Sequence, residues 1–314
     1  MNKSNTEKIK GSAFLFFASL IWGSTFVAQS MGMDYIQPFT FNAVRFFIGG
    51  LVLLPVIALF RREPKALSAE DIAKKAVDRR NLIWGGVVCG VLIFAATGLQ
   101  QIGLVYTTAG KAGFLTALYV VLVPIIGLFF KKKPSIFLWF GVAFAVTGLY
   151  FLSMNEQFTL GNGDLPVLIC ALIFSFQILA VDHYSPLVDG VKLSCIQFFV
   201  ASVLSTVTMF LFEKPDLTSI WSARMPLLYT GILACGIAYT FQILGQKTTP
   251  PAVASVVFGL ESVFAAVFGW LILNEQLTQR ELFGAGLVLV AVMLSQITPK
   301  KRARLQSRKA SAKL

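Results

Sequence analysis

Ten stretches of the chain are apolar over the length a helix needs to cross a bilayer, about 20 residues. They fall at roughly 11–30, 40–60, 82–105, 107–130, 135–154, 164–182, 192–212, 226–246, 249–273 and 281–298, with the polar positions gathered between them in short bursts. Several joints are brief, such as YTTAG at 106–110 and KTTPP at 247–251. Helices joined so tightly must run antiparallel as neighbours. The pattern predicts an all-α integral membrane protein with ten transmembrane helices. The first run is long for the core of a signal peptide and no small-x-small site follows it, so it reads as a retained helix. The longest break, 61–81, carries SAEDIAKKAVDRR, which predicts a short amphipathic helix on the membrane face, capped by Ser68.

Composition agrees with this pattern. Of 314 residues, 56% are hydrophobic and 13% charged, and the mean hydropathy is +0.74. A soluble chain of this length needs more polar surface. The net charge of +12 raises the question of nucleic acid. The basic clusters sit at the termini and between apolar runs, however, and no basic groove or stacking platform can be traced, so nucleic-acid binding is excluded. Cys89, Cys170, Cys195 and Cys235 all lie inside apolar runs without a C-x-x-C pair and read as packed thiols. With His183 the only histidine, neither a metal site nor a catalytic site built on histidine is expected, and no cofactor is implied.

Charge placement also predicts orientation. With the N-terminus in the cytoplasm, 22 of the 27 basic residues fall on cytoplasmic segments. Lys111, Lys214, Arg224 and Arg280 fall outside, and Arg45 lies within the second run. The positive-inside rule therefore predicts both termini in the cytoplasm, with a basic tail at 299–314 beside the lipid.

Sliding the chain against itself by 152 positions brings Phe46-Phe47 onto Phe198-Phe199 and Ala28 onto Ala180. Beyond the 61–81 insertion the offset is 142, and Gln100 meets Gln242, Thr107 meets Thr249, and Tyr119 meets Glu261. The offset holds across four helix pairs and predicts two five-helix repeats, 11–154 and 164–298, after a cytoplasmic segment 1–10. An odd number of crossings per repeat inverts the second relative to the first. That is a recurring design of secondary transporters with a binding site near the midplane.

Four segments resemble the drug/metabolite transporter superfamily, in particular its EamA-type members. They are IWGSTF in the first run, RFFIGG in the second, YTTAGKAGFLTALYVVLVP in the fourth and TTPPAVASVVFGLESVFAAVFGWLILNEQLT in the ninth. The likeness spans residues 11–298. It departs at Ser262, where the family often has Pro, and at KKKPS, where the first half often ends in Gly-Glu. The resemblance implies ten helices in inverted halves and the transport of small metabolites.

The polar residues at membrane depth are the candidate chemistry. A carboxyl at the depth of Glu261 costs roughly 2.5–3.5 kcal/mol on insertion scales. It is either a structural hydrogen-bonding group or a cavity group for an ammonium or a proton. Arg45 either snorkels to the interface, caps a helix C-terminus, or faces the cavity to hold a carboxylate or balance Glu261. Gln100 and Gln242 are repeat counterparts, which favours packing, whereas Gln101 and Gln177 have no such twin and are cavity candidates together with Gln29. Trp22, Tyr119 and Tyr239 are candidate cavity walls, Pro124 a candidate hinge, and Glu275 an end-marker. Asp182-His183-Tyr184 reads as a solvated helix end, and GNGD at 161–164 as a turn and helix cap. These residues point to a secondary transporter in a prokaryotic inner membrane. It would export or exchange a small metabolite, with an amino acid or related zwitterion preferred and broader drug efflux the alternative. An intramembrane enzyme or a scaffold explains the pattern less well. The partners expected are a small-molecule substrate and the bilayer, with proton coupling available to Glu261; no oligomeric state is assigned.

Overall fold

The computed structural model describes residues 3–59, 69–107, 109–153, 161–273 and 278–297, and all regular structure among them is helical. Eight helices are long and apolar enough to cross a membrane: Ile9–Met33, Pro38–Leu59, Ala76–Leu104, Lys111–Phe129, Asp164–Tyr184, Gly190–Phe212, Arg224–Gln246 and Pro251–Ile272. The other two expected runs form the shorter apolar helix Ile136–Leu152 and a helix over Gln279–Ser295, which opens on a Thr278–Glu281 capping box.

In chain order the helices are α1 (Lys3–Met33), α2 (Pro38–Leu59), α3 (Ala69–Leu104), α4 (Ala109–Ala117), α5 (Tyr119–Phe129), α6 (Ile136–Ser153), α7 (Asp164–Tyr184) and α8 (Gly190–Phe212). They continue with α9 (Leu217–Ser222), α10 (Arg224–Tyr229), a π-helical stretch (Thr230–Ala238), α11 (Tyr239–Gln246), α12 (Pro251–Phe258), α13 (Leu260–Leu273) and α14 (Gln279–Ser295). The amphipathic segment expected before the third run is not separate, because α3 runs unbroken from Ala69. No Gly or Pro stands between Arg80 and Trp84 to end it. The expected cap Ser68, the end-marker Glu275 and the tail 299–314 lie outside the described residues.

Two spans are interrupted in mid-membrane. Lys111–Phe129 breaks at Leu118, between α4 and α5, and Pro251–Ile272 at Gly259, between α12 and α13. At each break the hydrogen bonds tighten from i−4 to i−3. Leu118 N–H donates to Leu115 O at 3.3 Å and Ser262 N–H to Gly259 O at 3.3 Å. Pro124, expected as a hinge, lies inside α5, six residues beyond the break.

Packing sets α2 along α8, α6 along α14, α3 against α7 and α8, and α1 against α13 and α11. The α6–α14 crossing depends on small residues: a Cβ on Gly148 would lie 2.6 Å from Gly284 O, and one on Gly284 would lie 2.6 Å from Gly148 O. Along α2 and α8, Phe46 stacks on Phe198 at 6.0 Å and Ser202 Oγ donates to Ala43 O at 2.9 Å. All four cysteines are buried and free.

The helix ends are tied by charge. Glu213, just past α8, accepts hydrogen bonds from Phe39 N–H, Thr40 N–H and Thr40 Oγ1, each 2.7 Å, and so caps the start of α2. Lys111 pairs with Asp164 at 2.5 Å, and Asp164 also accepts from Gly161 N–H at 2.7 Å, closing the GNGD turn at the start of α7. At the other end of α7, Asp182 pairs with Lys132. This helix end, expected to be solvated, is therefore an ion-paired contact with the α5–α6 connection.

Candidate functional site

The mid-membrane breaks, the start of α11 and the middle of α1 converge on one cavity. Its empty volume is about 540 Å³, including open space at its mouth. Its polar wall is formed by Gln29, Arg45, Gln100, Gln177, Gln242 and Glu261. Aromatic side chains, Trp22 and Tyr239 foremost, supply much of the rest.

Local sequence explains several of these placements. Trp22, Thr25, Phe26 and Gln29 follow the i, i+3, i+4, i+7 spacing and so share the inner face of α1. Gly23 lets that face approach α13: a Cβ there would lie 2.6 Å from Glu261 O and 2.5 Å from Phe264 Cβ. The Trp22 ring is held between Tyr239, at 4.8 Å, and Phe258, at 5.3 Å. Glu261 occupies the first turn of α13, where the peptide dipoles favour a carboxylate. Tyr119 opens α5 at the other break, and its hydroxyl donates to Glu261 Oε1 at 2.7 Å. Both side chains are buried, at 4% and 5% exposure.

Arg45 is 3% exposed and faces the cavity; it neither snorkels nor caps a helix. Its Nη1 donates to Gln29 Oε1 at 2.5 Å, and the guanidinium lies 5.0 Å from the centroid of Phe46 and 5.3 Å from that of Phe41. Among the described residues the ion pairs are Lys111–Asp164 and Lys132–Asp182, so Arg45 does not balance Glu261. Its Nε has no hydrogen-bond partner, and neither has Trp22 Nε1. A buried cation costs several kcal/mol when uncompensated, and one amide and two ring faces replace only part of its hydration.

Seven of the eight residues singled out from the sequence line this cavity: Trp22, Gln29, Arg45, Tyr119, Gln177, Tyr239 and Glu261. Gln101 does not. It is buried elsewhere, with Nε2 3.5 Å from Met33 Sδ. Adjacent helical residues point about 100° apart, and here Gln100 faces the cavity while Gln101 turns to Met33. Gln100 and Gln242, expected as packing residues, also line it. Gln100 Nε2 donates to Thr116 Oγ1 at 3.1 Å, and Gln242 Nε2 to Gln177 Oε1 at 2.9 Å. Thr25 and Thr116 were missed, although helical spacing from Trp22 puts Thr25 on the cavity face.

The model of the EamA-like transporter family matches the chain twice, over residues 9–154 and 161–296. A protein of Archaeoglobus fulgidus described as an uncharacterized transporter is 36% identical over 287 residues, covering 89% of this chain and 83% of its own length. The uncharacterized transporter YoaV of Bacillus subtilis is 27% identical, covering 90% of this chain and 96% of its own. The uncharacterized inner membrane transporter YedA of Escherichia coli is 24% identical over 89% of this chain and 88% of its own. One crystal structure shares the fold with a TM-score of 0.74 and 18% identity, covering 91% of this chain and 96% of the other. Family and relatives are transporters, not enzymes, and the apolar helices make the chain a multi-pass membrane protein. The chain belongs to the EamA-like transporter family.

Proposed function

We propose that the protein is a secondary transporter of a prokaryotic inner membrane that exports or exchanges a small zwitterion, an amino acid above all, by alternating access. One observation carries this reading: a guanidinium and a carboxyl line the same buried cavity without pairing with each other. A ligand with a carboxylate for Arg45 and an ammonium for Glu261 complements both. A multiply charged phosphate ester would find a single arginine and a carboxyl that repels it.

Alternating access rests on the inverted repeat, with ten helices and both termini cytoplasmic. Contacts between repeat counterparts support it. Tyr119 and Glu261, 142 positions apart, share a hydrogen bond. Phe46 with Phe198 and Phe47 with Phe199, each 152 apart, meet at 6.0 and 6.2 Å. Residues that touch their own counterparts are those expected close to a two-fold axis. The breaks at Leu118 and Gly259 fall at nearly equivalent places, and discontinuous helices at the midplane are a recurring feature of transporter sites.

The test is uptake and efflux in proteoliposomes with a panel of radiolabelled amino acids, with and without an imposed pH gradient. Saturable movement of at least one is expected, and its loss in Arg45→Gln. If no amino acid moves in either direction, the substrate class is wrong.

A further inference from the structure

Two hydrogen-bond donors on residues that line the cavity are buried without a partner. Gln29 is engaged by Arg45, Gln100 by Thr116, Gln177 by Gln242, and Glu261 by Tyr119. Trp22 Nε1 and Arg45 Nε are both buried and both without a partner. Buried donors in native proteins nearly always have partners, so two orphans on one cavity call for an explanation. An indole N–H and a guanidinium N–H can only donate. The Trp22 ring packs against Tyr239 and Phe258.

We infer that Trp22 is a specificity-determining residue: its indole N–H and Arg45 Nε–H together receive the two oxygens of the substrate carboxylate, so the site selects an amino acid over the amine that lacks the carboxylate. The inference rests on the zwitterion reading above and deepens it by adding a neutral donor to the carboxylate end of the site. A neutral donor next to a cation favours an acceptor group without adding charge. A cation alone attracts any anion, whereas two donors acting together would engage both oxygens of a carboxylate. A site built to hydrogen-bond a polar group discriminates strongly against a ligand that lacks it, because its donors are left unpaired.

The experiment uses the full-length protein in lipid nanodiscs and calorimetric titration with the twenty common L-amino acids. Each amino acid that binds is compared with its decarboxylated amine. Trp22→Phe keeps a ring against Tyr239 and Phe258 and removes the N–H. Expected is a loss of about 10-fold or more in affinity for the amino acid, the scale of a hydrogen bond to a charged group, with affinity for the amine changed less than about twofold on the same basis. Should Trp22→Phe fold poorly, 3-benzothienylalanine at position 22 keeps both rings and replaces N–H by sulfur. Equal weakening of amino acid and amine would assign Trp22 to packing and overturn the inference. So would unchanged discrimination, and in both cases the zwitterion reading survives. If the unaltered protein binds no amino acid, the reading fails and the inference with it.

Discussion

Replacing Tyr119 by Phe deletes one oxygen, and the structure sets the size of the consequence. That oxygen donates to Glu261 Oε1 at 2.7 Å, the modal length of about 2.7–2.8 Å for an O–H···O bond. In water-soluble proteins a hydrogen bond to a charged group contributes ~1.5–3 kcal/mol. Between helices within a bilayer, double-mutant cycles average ~0.6 kcal/mol and reach ~1.7, because the unfolded chain in the membrane also finds partners. Good length and burial of both groups place this bond in the upper half of the membrane range, at ~1–1.7 kcal/mol. Glu261→Gln keeps an acceptor but no charge and should retain part of the interaction. Glu261→Leu removes it completely and is the second arm of the cycle. The assay is unfolding by SDS titration in mixed micelles for the unaltered protein, Tyr119→Phe, Glu261→Leu and the double variant. A coupling energy within ~0.3 kcal/mol of zero, the usual limit of additivity for independent sites, would refute the reasoning. The observed contact would then carry no stability.

Three further outcomes are expected. Gly148→Leu should destabilise the protein by ~1–3 kcal/mol or more, the usual cost of overpacking, because its Cβ would press on the Gly284 carbonyl; thermal unfolding in detergent reads this. Glu213→Ala should cost ~1–2 kcal/mol, as for the loss of a helix cap, since it frees the Phe39 and Thr40 N–H groups, with Glu213→Gln intermediate by the same measurement. Asp216 caps α9, and the Ser219 N–H and then its hydroxyl hold this exposed carboxyl below its ordinary range. Its stabilisation is therefore complete above the unfolded-state value and is lost as pH falls through the depressed folded one. The protection factor of the Ser219 amide, corrected for the intrinsic pH dependence of exchange, should fall with acid in the unaltered protein and be less pH-sensitive in Asp216→Asn.

The spans were legible because twenty apolar residues leave few alternatives in a bilayer, and the depth of Arg45 and Glu261 followed from counting along them. What could not be read was rotation. A helix in water has one apolar face, and its period shows which way it turns. Here lipid and protein interior are both apolar, so the repeat alone separated Gln100 from Gln101 and pointed to the wrong one: both are buried, and the packing of α3 sets Gln100 on the cavity. The partners of Arg45 were hidden for a related reason: the sequence places it at depth but does not say that Gln29, seven residues after Trp22, turns to meet it. The break at Leu118 has no sequence marker at all. The proline nearby, which suggested a hinge, sits comfortably inside α5, and only Gly259 hinted at the break in the ninth span.

The hydrogen bond between Tyr119 and Glu261 also bears on how such a chain can arise. On the two-fold relation proposed above, two identical copies of one half would bring this position against itself, hydroxyl against hydroxyl or carboxyl against carboxyl. The latter would be two acids competing for a single proton. A hydroxyl facing a carboxyl requires halves that differ, and joining them in one chain guarantees that every molecule contains one of each. The link between the repeats thus fixes a stoichiometry of one carboxyl per cavity, which no symmetric assembly of either half alone could keep.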